Sequence, residues 1–127
     1  MTAQGARPAK KRYSVIFHLD SGSKSVLSKT IANIRNMFKD PRLEGRLRAE
    51  LVVNGMGYQI YEKGNGFGPD LEALAARGVI FALCDNTVRK LKINLRTLYP
   101  FVRIVPSAMG ELVIREGDGW AYIHPSS

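Results

Sequence analysis

Residues 78–93 read GVIFALCDNTVRKLKI, and the change of character in the middle of that stretch decides the fold. Val79 to Cys84 is an unbroken apolar run with β-branched and aromatic members, the pattern of a buried strand. Asp85, Asn86 and Thr87 follow at once, and each is a residue type that caps helices. Over residues 86–98, Val88, Leu91, Leu95 and Leu98 recur at helical spacing on one side, with Arg89, Lys92 and Arg96 on the other. A buried strand that passes directly into an amphipathic helix is half of a βαβ unit, the connection that parallel strands require. Cys84, the only cysteine in the chain, stands on the seam.

The same alternation extends in both directions. YSVIFHL (13–19) reads as a strand, DSGS (20–23) as turn and cap, and Leu27, Ile31, Ile34 and Phe38 as the apolar stripe of a helix that stops before Pro41. AELVVNG (49–55) is a second strand, and the glycine-rich segment 55–69 is expected to be a long, partly irregular connection. DLEALAARG (70–78) is a short helix with Gly78 as its C-terminal cap. FVRIVP is a fourth strand, Ser107 an N-cap, AMGELVIREG (108–117) a helix and WAYIH a fifth strand.

Strands alternating with helices, four of them continuous apolar runs, predict an α/β protein: a three-layer α/β/α sandwich around a mainly parallel five-stranded sheet. Right-handed crossovers gather the strand-to-helix loops at the carboxyl edge of the sheet, where ligands bind in such folds. DSGS, NGMG and CDNT are therefore expected to be neighbours. Residues 13–127 form this single domain, preceded by a basic, flexible tail over residues 1–12.

Composition narrows the function classes. With 45% apolar and 24% charged residues the chain is globular. Its longest apolar run, Val79 to Cys84, is far short of the roughly 18 residues that cross a bilayer, so no membrane span is expected. No long apolar segment or cleavage site follows the basic start, and one unpaired thiol suits a reducing compartment; both point to the cytoplasm. The net charge is +8, but Arg7, Lys10, Lys11 and Arg12 supply +4 of it with no acid among them. Half the excess lies in the tail and no aromatic-basic stacking motif accompanies it, which argues against nucleic acid as the partner.

Dinucleotide, P-loop, zincin and paired-cysteine motifs are all absent. His18 and His124 lie far apart in sequence without metal-ligand company, so neither a metal nor a cofactor is expected. The glycines of NGMG and GNGFG suit an anion pocket and suit ordinary turns equally. Cys84 is the sharper feature. At a strand end next to helix-capping residues, its sulfur should meet free amide groups and the positive end of a helix dipole, which favour a thiolate. The stripe Arg89, Lys92, Arg96 would add a positive field, and Asp85 would oppose it. A small, buried structural cysteine fits the same position.

Taken in order, NIRNMF (33–38), VVNGMG (52–57), LAARGVIFALCDNT (74–87), VRIVPSAMGELV (102–113) and EGDGWAYI (116–123) resemble the DsrE/DsrF-like family of sulfur-relay proteins, over Tyr13 to the C-terminus. The resemblance implies a flavodoxin-like domain that assembles into homo-trimers or homo-hexamers. It also implies a persulfide-carrying cysteine at Cys84, with sulfur-donor and sulfur-acceptor proteins as partners. Asn54, Gly55, Asn86 and Thr87 would line the pocket around the sulfur, with Asp20 at its margin. The alternative is a non-catalytic oligomeric module that binds a small anionic ligand or a protein through NGMG and CDNT.

Overall fold

The apolar runs become five parallel strands in the computed structural model, which describes residues 5–125. They are β1 (Tyr13–Leu19), β2 (Leu47–Val53), β3 (Ile80–Cys84), β4 (Val102–Val105) and β5 (Ala121–Ile123), in the order β4-β3-β2-β1-β5. The helices between them are α1 (Lys24–Phe38), α2 (Gly68–Ala76), α3 (Asp85–Leu91) and α4 (Ala108–Gly117). No helix is long and apolar enough to cross a membrane among the described residues.

Strand order determines where the helices lie. From β1 to β4 the chain steps outward in one direction, and right-handed crossovers keep the intervening helices on one face. The last connection runs back across the sheet to the far side of β1, and the same handedness sends α4 to the opposite face. Side chains alternate accordingly. Val15, Phe17 and Leu19 of β1 pack with Leu27, Ile31 and Ile34 of α1 and Leu71 and Leu74 of α2. Ile16, Val52, Ala82 and Cys84 face α4, where they meet Ala108, Leu112 and Trp120.

Two expected elements take a different form. The helix expected over 86–98 breaks: α3 ends at Leu91, Lys92 adopts a left-handed conformation (φ 53°), and a separate 3-10 turn spans Leu95–Thr97. Asn94 starts that turn, its side chain accepting a hydrogen bond from the Arg96 amide at 3.0 Å. Only Leu98 of the distal apolar positions is buried, while Leu91 and Leu95 are exposed. The connection expected to be partly irregular is ordered at its start, as a 3-10 helix over Gly55–Tyr61 that the sequence reading did not place. It is anchored by the fully buried Ile60 and Tyr61, and the Tyr61 hydroxyl donates to the Leu51 carbonyl at 2.8 Å. Gly57 permits this approach, since a Cβ there would come within 2.8 Å of the Leu19 carbonyl oxygen.

Before β1, Arg42 and Arg46 donate to the carbonyls of Ala6 and Lys10 at 3.0 and 2.8 Å. Residues 1–4 of the expected tail lie outside the described residues. On the α4 face the core contains a fully buried carboxylate, Glu50 of β2. Arg115 Nε donates to its Oε1 at 2.7 Å, whereas Oε2 has no hydrogen-bond partner among the described residues. Burial, and then the neighbouring Glu111 carboxylate, push its pKa up to about 8 despite the opposing pull of Arg115. Trp120 packs beside this group, with the Arg48 and Arg115 guanidinium groups 4.6 and 4.4 Å from the ring centroid.

Candidate functional site

Parallel strands bring four loops to the carboxyl edge of the sheet, and a cavity of about 310 Å³ opens between three of them. Cys84 lies on its wall as the last residue of β3 and the N-cap of α3. Asn54 and Gly55 enter from the end of β2, and Asn86 and Thr87 from the first turn of α3. All four residues expected around Cys84 therefore converge there. The side chain of Cys84 is backed by Ile16, Val52 and Leu112 and is only 5% exposed, so it is reached through the cavity rather than from the open surface.

Thr87 holds two of these loops together. Its buried Oγ1 accepts a hydrogen bond from the Gly55 amide at 2.8 Å, and Gly55 presents that amide from a left-handed conformation (φ 57°) that favours glycine. The cavity is completed by the start of α4, which the sequence reading did not include. Ser107, Ala108 and Met109 line it, together with Lys90 of α3. Ser107 is the N-cap expected of it, its hydroxyl accepting from the Gly110 amide at 2.9 Å. Ala108 follows at the first position of the helix, and its amide is not the one that Ser107 caps. The clue to this loop was the crossover rule itself, because the turn after β4 must reach the same edge as the other three.

The sulfur thus sits where the N-termini of two helices meet. Burial pushes the Cys84 thiol up, but the amides of Ala108, Thr87 and Asn86, with the Thr87 hydroxyl, outweigh it and hold the pKa below the ordinary thiol value. The sulfur does not cap α3 with a side-chain hydrogen bond in the usual N-cap geometry, so the lowering comes from N–H groups of both helices directed at it together. The expected basic stripe does not supply the field. Arg89 Nε pairs with Asp85 at 3.2 Å, which also offsets the opposing carboxylate, while Lys92 and Arg96 lie beyond the end of α3. Lys90 is the cation at the cavity.

Asp20 does not line this cavity. It lies beside β5, where His124 Nε2 approaches its Oδ1 at 3.2 Å. The two histidines, 106 positions apart in sequence, are neighbours because β5 pairs with β1, and their ring centroids are 5.4 Å apart. His18 Nε2 lies 2.7 Å from Asn54 Oδ1 and its Nδ1 lies 3.1 Å from the Tyr122 hydroxyl. Asn54 is therefore shared between the cysteine cavity and the histidine pair. A second hollow, about 220 Å³, lies at the amino edge beside Tyr13 and Arg42 and holds no nucleophile.

No family model and no curated protein matches the chain. The solved structure of a protein of unknown function, MTH1491 from Methanobacterium thermoautotrophicum, superposes with a TM-score of 0.82 at 35% sequence identity, over 89% of this chain and 99% of that one. Identity at that level, sustained over nearly the whole of both chains, makes this protein a member of the same family as MTH1491.

Proposed function

We propose that the protein is a sulfur carrier that holds sulfur as a persulfide on Cys84. The observation that supports this most directly is the position of the sulfur: on the wall of an open cavity, with amides from two helix N-termini favouring its thiolate. The thiolate attacks the outer sulfur of a donor persulfide. A bond forms between Cys84 Sγ and that sulfur, the donor's S–S bond breaks, and the donor leaves as a thiolate. An acceptor thiolate then repeats the attack on the outer sulfur, breaking its bond to Cys84 and restoring the thiolate. No external oxidant is needed, because the transferred sulfur keeps its oxidation level. Lys90 and the Ala108 amide face the anionic terminal sulfur while it is held.

Donor and acceptor are proteins or small thiols, since the chain has no second cysteine to resolve the persulfide. Assembly into homo-trimers or homo-hexamers, implied by the DsrE/DsrF-like resemblance, would cover the exposed Met109, Val113 and Ile114 of α4.

Mass spectrometry after incubation with a persulfide donor, without reducing agent, is expected to find a one-sulfur mass increase on the wild type and none on Cys84→Ser. No adduct on the wild type would sink the proposal. The same amides and Lys90 also suit a non-catalytic module that binds a small anion. That reading predicts a thiol slow to alkylate, and a Cys84→Ser variant that binds the anion as tightly as the wild type.

A further inference from the structure

The histidine pair at the β1–β5 end of the carboxyl edge has the composition and spacing of a metal site. Among the described residues, His18, Asp20 and His124 form the one cluster of three such side chains whose ligand atoms all lie within 4.8 Å of one another. Two imidazoles and one carboxylate are a donor set that suits Zn²⁺ and related first-row divalent cations. At metal–ligand distances of about 2.1 Å, tetrahedral ligand atoms stand about 3.4 Å apart. His124 Nε2 and Asp20 Oδ1, at 3.2 Å, already have that spacing.

His18 supplies the feature that separates a built site from a chance meeting of side chains. It is buried on β1, and Asn54 Oδ1 lies 2.7 Å from its Nε2. A carbonyl oxygen only accepts, so Nε2 is the donor in this contact, and in the neutral ring the lone pair is then on Nδ1. Metal-bound histidines are oriented in this way, with the second nitrogen donating to an oxygen behind the ring. Nδ1 now faces the Tyr122 hydroxyl at 3.1 Å, a polar group that a cation can displace or recruit. Asp20 and His124, with side chains 48% and 43% exposed, are free to close the remaining gap.

We infer that His18 Nδ1, Asp20 and His124 bind a single divalent transition-metal ion of the zinc type, with Asn54 as a positioning residue behind His18 and one coordination position open to solvent. This inference does not depend on the chemistry of Cys84. It gives Asn54 a double role, since the residue that would orient a metal ligand also lines the cysteine cavity.

The test is run on the full chain carrying Cys84→Ser, so that the thiol cannot contribute. After stripping and reloading with Zn²⁺ or Co²⁺, one ion per chain should survive dialysis, and Co²⁺ should show the visible absorption of a four- or five-coordinate site without a thiolate charge-transfer band. Asp20→Asn and His124→Ala are exposed substitutions that leave the core intact, and each should weaken Zn²⁺ binding at least about 10-fold. Asn54→Ala should weaken it about 10- to 100-fold, because the His18 ring loses the acceptor that fixes its orientation. Failure of the Cys84→Ser chain to retain Zn²⁺ at micromolar concentration, or undiminished retention by the Asp20→Asn/His124→Ala double variant, would overturn the inference.

Discussion

The two faces of the sheet are built from the same strands and end up with different tasks. The face under α1 and α2 gathers eighteen buried apolar residues among those described, and the face under α4 gathers seven. Three crossovers cover one side and a single crossover covers the other, so the imbalance follows from strand order. The thicker side holds large apolar rings, such as Phe81, packed edge-on against Tyr61 with centroids 5.9 Å apart. The thinner side holds what a stability-driven core would exclude: a free thiol, a buried carboxylate and a histidine with both nitrogens engaged. Polar chemistry has collected where one helix leaves room for cavities and charges.

The largest expected effect tests that division directly. Phe81→Ala on the thick side removes a ring that is 1% exposed and should cost about 3–5 kcal/mol. Leu112→Ala on the thin side removes a less enclosed side chain, 7% exposed, and should cost about 2 kcal/mol, the low end for such truncations. Denaturant unfolding of both variants measures the difference. Equal losses would mean that the α4 face is packed as firmly as the other, and the contrast would fail.

Periodicity carried most of the elements but not their arrangement. The bounds read for β1 and α4 coincide with those observed, because both segments carry clear patterns and, in α4, a cap that functions as expected. Strand order was not legible, since an apolar run does not say which other run it pairs with. Every surprise at the site follows from that. His18 and His124 become neighbours only when β5 joins the free edge of β1, and Ala108 reaches Cys84 only when α4 crosses to the face opposite α3. The break at Lys92 was hidden for a different reason. A lysine at φ 53° has no signature in local propensity, and the apolar positions beyond it kept the spacing of a continuing helix. Strand ends placed the NGMG and CDNT loops at one edge, but it was the family resemblance that named Asn54, Gly55, Asn86 and Thr87 around Cys84. They line its cavity, whereas Asp20, named on the same basis, shares that edge but faces the histidines instead.

The middle-sized effect concerns the buried carboxylate. Glu50 keeps its proton in the folded state until about pH 8, whereas in the unfolded chain it ionises near the ordinary value of 4.5. Between those values the folded state binds more protons than the unfolded one, so stability falls as pH rises and levels off above about pH 8. The slope contributed by this one group approaches about 1.4 kcal/mol per pH unit at most. Glu50→Gln keeps an oxygen to accept from Arg115 and removes the titration. Unfolding free energies measured from pH 5 to 8 should therefore fall more steeply for the wild type than for the variant. Parallel curves would show that Arg115 keeps Glu50 ionised throughout.

The smallest effect on stability carries the most information about the site. Thr87→Val keeps the shape of the side chain, but leaves the Gly55 amide without its acceptor and takes a hydroxyl from the thiol's surroundings. Loss of one partly buried hydrogen bond should cost about 1 kcal/mol, well below the cost of either core truncation. The alkylation rate of Cys84 should respond more clearly. Its pH transition, expected below the ordinary thiol value in the wild type, should move upward in Thr87→Val and return in Thr87→Ser, which restores the hydroxyl. A transition that stays in place in both variants would assign the activation to the helix amides alone. One that lies at the ordinary thiol value in the wild type would remove the electrostatic basis for treating Cys84 as anything but a packed side chain on the thin face.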